Sequence, residues 1–154
     1  MRKMPKVDEY DPVVYPRKLW VTDEIEGLDR IFKFMRANNF SLENQDSYRN
    51  LLDEKDHGTG VLVTCPVVNK ISGDYGILVI ILNLSLVVAG DSAHEAVHAA
   101  DYIFQATGSY AQDFTESNEP YAYLVGWIAG CIDKTLIKAK KRYDDRRESD
   151  DVED

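Results

Sequence analysis

The seven residues Gly76-Ile77-Leu78-Val79-Ile80-Ile81-Leu82 contain no polar side chain. Successive side chains on a strand point to opposite faces, so a run that is apolar at every position has to be covered on both sides. The run is broken by Asn83 and Ser85 and is too short to span a bilayer. The chain therefore has to build a layered domain around a central or helix-covered strand. Its 154 residues are enough for one such domain with a sizeable core.

The segments before that strand read as follows. Pro16 confines the early part of Val13 to Val21 to an edge or a lead-in, and a first strand runs from Lys18 to Thr22. Thr22 or Asp23 then caps a helix with Ile25, Leu28, Ile31, Phe32 and Met35 at the 3.6 period, closed by Asn38-Asn39. Residues 41–57 are polar, with one short helix around Gln45 to Leu52. Gly58-Thr59-Gly60 leads into a β-rich run, Val61 to Cys65, and Ser72 to Gly76 form a turn. The two runs are expected to be antiparallel neighbours joined by a loop of about ten residues.

After the apolar strand comes the one place where the chain states a chemistry. A helix is expected to start near Asp91 or Ser92, both good N-caps, and to end at Gly108, a natural C′ residue. It carries His94-Glu95-Ala96-Val97-His98. At i and i+4 the two imidazoles leave one helical face, one turn apart, and can grip a single metal ion. Two His and a Glu on an exposed face can equally be solvated polar residues. The flanking Ala93, Ala96, Val97, Ala99 and Ala100 favour the metal, since an imidazole in small apolar surroundings needs a partner. Zn²⁺ is the expected ion, and it takes a third protein ligand. Glu119 offers that carboxylate, with Glu116 as a nearby competitor, and Glu95 is the expected general base. Asn118 is the expected N-cap of a second helix that tolerates Pro120 and continues through Leu124, Trp127, Ile128, Cys131, Ile132 and Leu136.

Through His94, Glu95, His98, Asn118 and Glu119, the segment from His94 to Trp127 resembles the gluzincin group of zinc metallopeptidases, the thermolysin-like clan. The resemblance implies an α+β fold, a minimal zincin core: a small, twisted, mostly antiparallel sheet packed on the HExxH helix and a second, Glu-bearing helix. It also implies a strand edge beside the metal that pairs with an extended peptide, supplied or supported by Ile77 to Leu82 or its neighbour. Tyr15 to Trp20, Ala93 to Asp101 and Glu119 to Leu124 are further similar to small zincin-like proteins of bacteriophages and prophages. The implied activity is peptide-bond hydrolysis by metal-activated water. The alternative is a zinc-binding structural or interaction protein without turnover, in phage assembly or host takeover.

The chain departs from the larger enzymes at Tyr123, where they carry an Asp four residues after the third ligand. Asp101, at i+3 from His98, is the other candidate for orienting a ligand imidazole. No histidine follows Glu119, so the candidate oxyanion donors are Tyr121, Tyr123, Tyr110 and His57.

Lys and Arg number 18 against 27 Asp and Glu, a formal charge of −9. That balance argues against nucleic acid and anionic membranes as partners and leaves a peptide or protein. Met1 to Lys6 is basic, but Val7 to Asp11 stands where a leader needs its apolar stretch. A cytoplasmic setting, that of a bacterial host if phage-encoded, is expected, with Cys65 and Cys131 reduced. The expected organisation is an N-terminal extension at 1–12, one domain at 13–140 and a charged, disordered tail at 141–154.

Overall fold

The computed structural model describes residues 3–111 and 117–150. Along the chain the strands are β1 (Asp8–Tyr10), β2 (Lys18–Thr22), β3 (Phe32–Arg36), β4 (Asn39–Glu43), β5 (Leu62–Asn69) and β6 (Tyr75–Ile81). Between and after them lie helices α1 (Leu28–Ile31), α2 (Ser47–His57), α3 (Asp91–Thr107) and α4 (Glu119–Asp150). The strands form one sheet in the order β1-β2-β6-β5-β3-β4, in which only the β2–β6 pair is parallel. The fold is α+β, with a mostly antiparallel sheet, as the sequence implies.

β6 is buried on both faces, as its composition demands. Ile77, Val79 and Ile81 point into a core shared with α3 and α4, where they meet Ala96, Ala99, Ile103, Ile128 and Ile132. Leu78 and Ile80 point the other way, into a core built with Trp20, Leu28, Phe32, Phe34 and Leu51. The HExxH helix and the Glu-bearing helix therefore share one face, while α1 and α2 cover the other.

The helix expected across Ile25 to Met35 is not formed. Only Leu28–Ile31 is helical, and Phe32–Arg36 is a strand that turns at Ala37-Asn38 into β4. The 3.6 period leaves Phe34 out of its apolar set, whereas in β3 both Phe32 and Phe34 are buried between exposed Lys33 and Arg36. Asn38-Asn39 thus belongs to a hairpin, not to a helix end. The short helix expected within 41–57 exists but lies later, at Ser47–His57. β5 and β6 are antiparallel neighbours as expected, yet the loop is shorter, because β5 runs on through Pro66 to Asn69. Pro66 is tolerated where the β3 ladder stops, at the Phe34–Val67 pair. Asn69 then shapes the turn, its Oδ1 accepting the N–H groups of Ile71 and Ser72.

Regular structure also lies outside 13–140 at both ends. Residues 8–10 pair with β2, so the segment read as an extension supplies a strand. The expected tail at 141–154 is helical as far as Asp150, and residues 151–154 lie outside the described part. Carboxylates near the N-terminus pair with the C-terminal half of α4: Lys138 Nζ lies 3.2 Å from Asp8 Oδ2, and Arg142 Nη2 lies 2.6 Å from Asp23 Oδ1. Burial pushes the Asp8 carboxyl up, but the Thr135 hydroxyl and the Lys138 ammonium outweigh it and hold it below its ordinary value.

Gly76 is needed where β6 meets β2. A Cβ there would collide with the Lys18 carbonyl oxygen and sit 2.7 Å from the Trp20 ring. Gly76→Ala is expected to destabilise the fold by about 1–3 kcal/mol, read as a lower urea midpoint. An unchanged midpoint would mean that β2 yields without cost.

Candidate metal centre

α3 follows β6 after a short connection that contains a 3₁₀ turn at Leu84–Leu86. Its first turn is stabilised differently from the expectation. Gly90 occupies the N-cap position, and Asp91 Oδ2 reaches back to accept the Val88 N–H at 2.7 Å. Ser92 is not a cap; its hydroxyl donates to Asp133 Oδ1 on α4 at 2.6 Å. At the other end Gly108 adopts φ 66° as expected, and Ser109 N–H bonds back to the Phe104 carbonyl at 2.9 Å.

The helical period splits α3 into two faces. Ala96, Ala99, Ala100, Ile103 and Phe104 are buried against the sheet and α4, and Ala93, His94, Val97, His98 and Asp101 are exposed. The small residues that suggested an apolar setting for the histidines thus belong mostly to the opposite face. Burial does not demand a metal here. What the geometry offers is a close pair: His94 Nε2 and His98 Nε2 are 3.1 Å apart. Those two nitrogens would be the ones to hold a metal ion between them. Without a cation, one ring must carry its proton on Nε2 for that distance to be a hydrogen bond.

Glu95 lies beside the pair and is 8% exposed. Its Oε1 is 3.9 Å from His94 Nε2, and its Oε2 accepts the Thr64 hydroxyl from β5 at 2.5 Å. His94, Glu95 and His98 offer donor atoms all within 4.8 Å of one another, the one such group among the described residues. Two imidazoles with a carboxylate alongside could hold a metal ion.

Glu119 is not a member of that group. It is exposed, in the first turn of α4. Asn118 does not cap through its side chain: its φ is 50°, and its Oδ1 is buried without a hydrogen-bond partner. Its backbone carbonyl accepts the Ala122 N–H at 2.9 Å instead. Glu116, the competing carboxylate, lies outside the described residues.

The two residues named separately as orienter and donor are joined. Tyr121 donates to Asp101 Oδ1 at 2.6 Å, and its hydroxyl also lies 3.4 Å from the Val97 carbonyl. Burial and the Asp101 carboxylate raise the Tyr121 pKa well above that of a free phenol, so the ring stays protonated and committed to Asp101. Tyr123 neither reaches a histidine nor enters the core; it is 76% exposed beside Pro12, Val14 and Tyr15. Tyr110 is exposed, and His57 ends α2, which packs on the other face of the sheet. Sequence reading missed Thr64 and Tyr102. Tyr102 lies one turn beyond His98, packs edge-on against Phe40, and has its pKa raised by burial and then by Cys65, Glu95 and Asp101.

No family model matches the chain, and neither the curated proteins nor the solved structures contain a significant match to it.

The buried thiol behind Glu95 gives the region a signature. Cys65 is free, and burial, followed by the Glu95 charge, pushes it from 9.0 up to about 12. Between those values the unfolded thiol has lost its proton while the folded one keeps it. Stability therefore falls as pH rises above 9.0, with a limiting slope of about 1.4 kcal/mol per pH unit from this group. Cys65→Ala should lower the urea midpoint at neutral pH yet flatten its alkaline decline. An unaltered alkaline slope would assign the decline to other groups.

Proposed function

We propose that this chain is a zinc-dependent hydrolase of peptide bonds, with His94 and His98 as metal ligands and Glu95 as general base. The observation that carries the reading is the pair of Nε2 atoms 3.1 Å apart with Oε1 of a buried, oriented carboxylate 3.9 Å from one of them. Zinc held there supplies Lewis acidity and lowers the pKa of a water in its open position. Glu95 takes a proton on Oε1 and later returns it to the leaving amine.

The peptide is proposed to lie along β5. β3 pairs only with residues 67–69 of that strand, and among the described residues no strand covers the same side of residues 62–66. An extended chain added there gains main-chain hydrogen bonds and passes next to Thr64, hence next to Glu95. Glu119 is the proposed third ligand, because α4 starts against the turn that carries His98: two residues on, Tyr121 already touches Asp101 and approaches Val97. The free thiols Cys65 and Cys131, on opposite faces of the sheet, suit a cytoplasmic setting. No helix among the described residues is long and apolar enough to cross a membrane.

One observation favours a second reading, zinc binding without turnover: Glu119 stands apart from the histidines, and Tyr121 is committed to Asp101. Native mass spectrometry should find one zinc per chain in the wild type and in Glu95→Gln. His94→Ala and His98→Ala should lose it, and Glu119→Ala should bind more weakly. Cleavage profiling of a cell lysate should then show peptide products that fall by about 10²-fold or more in Glu95→Gln. Zinc without cleavage selects the second reading. A wild-type chain that takes up no zinc refutes both.

A further inference from the structure

We propose that Thr64 is the positioning residue for Glu95, fixing which carboxylate oxygen is offered for proton transfer; this rests on the hydrolase reading above. Alternation along β5 carries the argument. Val63, Cys65 and Val67 join the core on the far face, so Leu62 and Thr64 point toward the α3 layer. A hydroxyl facing that layer needs a partner, and Thr64 Oγ1 finds Glu95 Oε2 at 2.5 Å. The Glu95 backbone carbonyl is 3.5 Å away, a far poorer acceptor for the single hydroxyl proton.

The consequence concerns the last torsion of the glutamate. That torsion is broad and roughly two-fold, so an untethered carboxylate exchanges its oxygens freely. Donation to Oε2 breaks the symmetry: one oxygen is held, and Oε1 is left facing His94 at 3.9 Å. The donor itself is rigid. Threonine is β-branched and stiff at χ1, and Thr64 is paired opposite Val79 in the ladder with β6. The strand proposed to hold the peptide thus also holds the base, so scissile carbonyl and base share one rigid reference.

The test uses the full chain loaded with zinc and acetohydroxamate as the probe, a chelator whose hydroxyl proton is shared with a carboxylate beside the metal. Thr64→Val should keep one zinc and bind the hydroxamate about tenfold or more weakly, while Thr64→Ser, which keeps the hydroxyl but not the branching, should recover most of the affinity. In a Glu95→Gln background Thr64→Val should add no further loss, as expected for a residue that acts through Glu95. If Thr64→Val does not fold, Thr64→Ala replaces it in the same cycle. Equal losses in the Val and Ser variants, additive losses in the double variant, or unchanged affinity overturn the positioning role while leaving the zinc reading intact. Zinc retained with hydroxamate affinity indifferent to Glu95→Gln overturns the base and the positioning role together, and a wild-type chain without zinc overturns the metal reading beneath them.

Discussion

Two-sided burial of β6 is the constraint on which the molecule depends. A strand with apolar side chains at nearly every position is stable only between two covering layers, and the remainder of the chain supplies them. The small side chains Ala96, Ala99 and Ala100 let α3 lie on the sheet beside α4. That packing fixes the rotation of α3 about its axis. Glu95 consequently turns inward toward β5, while His94 and His98, one turn apart on the adjacent face of the helix, point outward.

This division of roles has an energetic logic. A carboxylate taken out of water needs donors, and Glu95 has a hydroxyl for one oxygen while the other faces the imidazoles. The histidines remain in water and keep ordinary solvation, so an ion can reach them without unpacking the core. The carboxylate is thus held inside, and the imidazole pair stays outside.

Much of this was legible in residue order, and the misses have physical causes. The i, i+4 histidines, the glycine stop at Gly108 and the apolar β6 are local signals, and local geometry honours them. The apolar residues from Ile25 to Met35 fall at helical spacing, and only Phe34 departs from it. The histidines were read as buried because composition along a helix does not say which residues share a face until the period is applied to every position. Thr64 was within reach: strict alternation through Leu62, Val63, Thr64 and Cys65 puts a lone hydroxyl toward the helices. The place of Glu119 was not, since a ligand on another helix depends on how that helix is packed.

The contact between α3 and α4 is pinned by polar bonds toward both its ends, Ser92 to Asp133 and Tyr121 to Asp101. The two helices run antiparallel past each other between these points. A helix held at two separated places can neither slide along its neighbour nor roll against it without breaking one of them. Glu119 lies two residues ahead of the Tyr121 bond, so the start of α4 is tied to the motif helix. Among the described residues, Ser117 and Asn118 sit at positive φ just ahead of that bond, at the end of α4 nearest the motif.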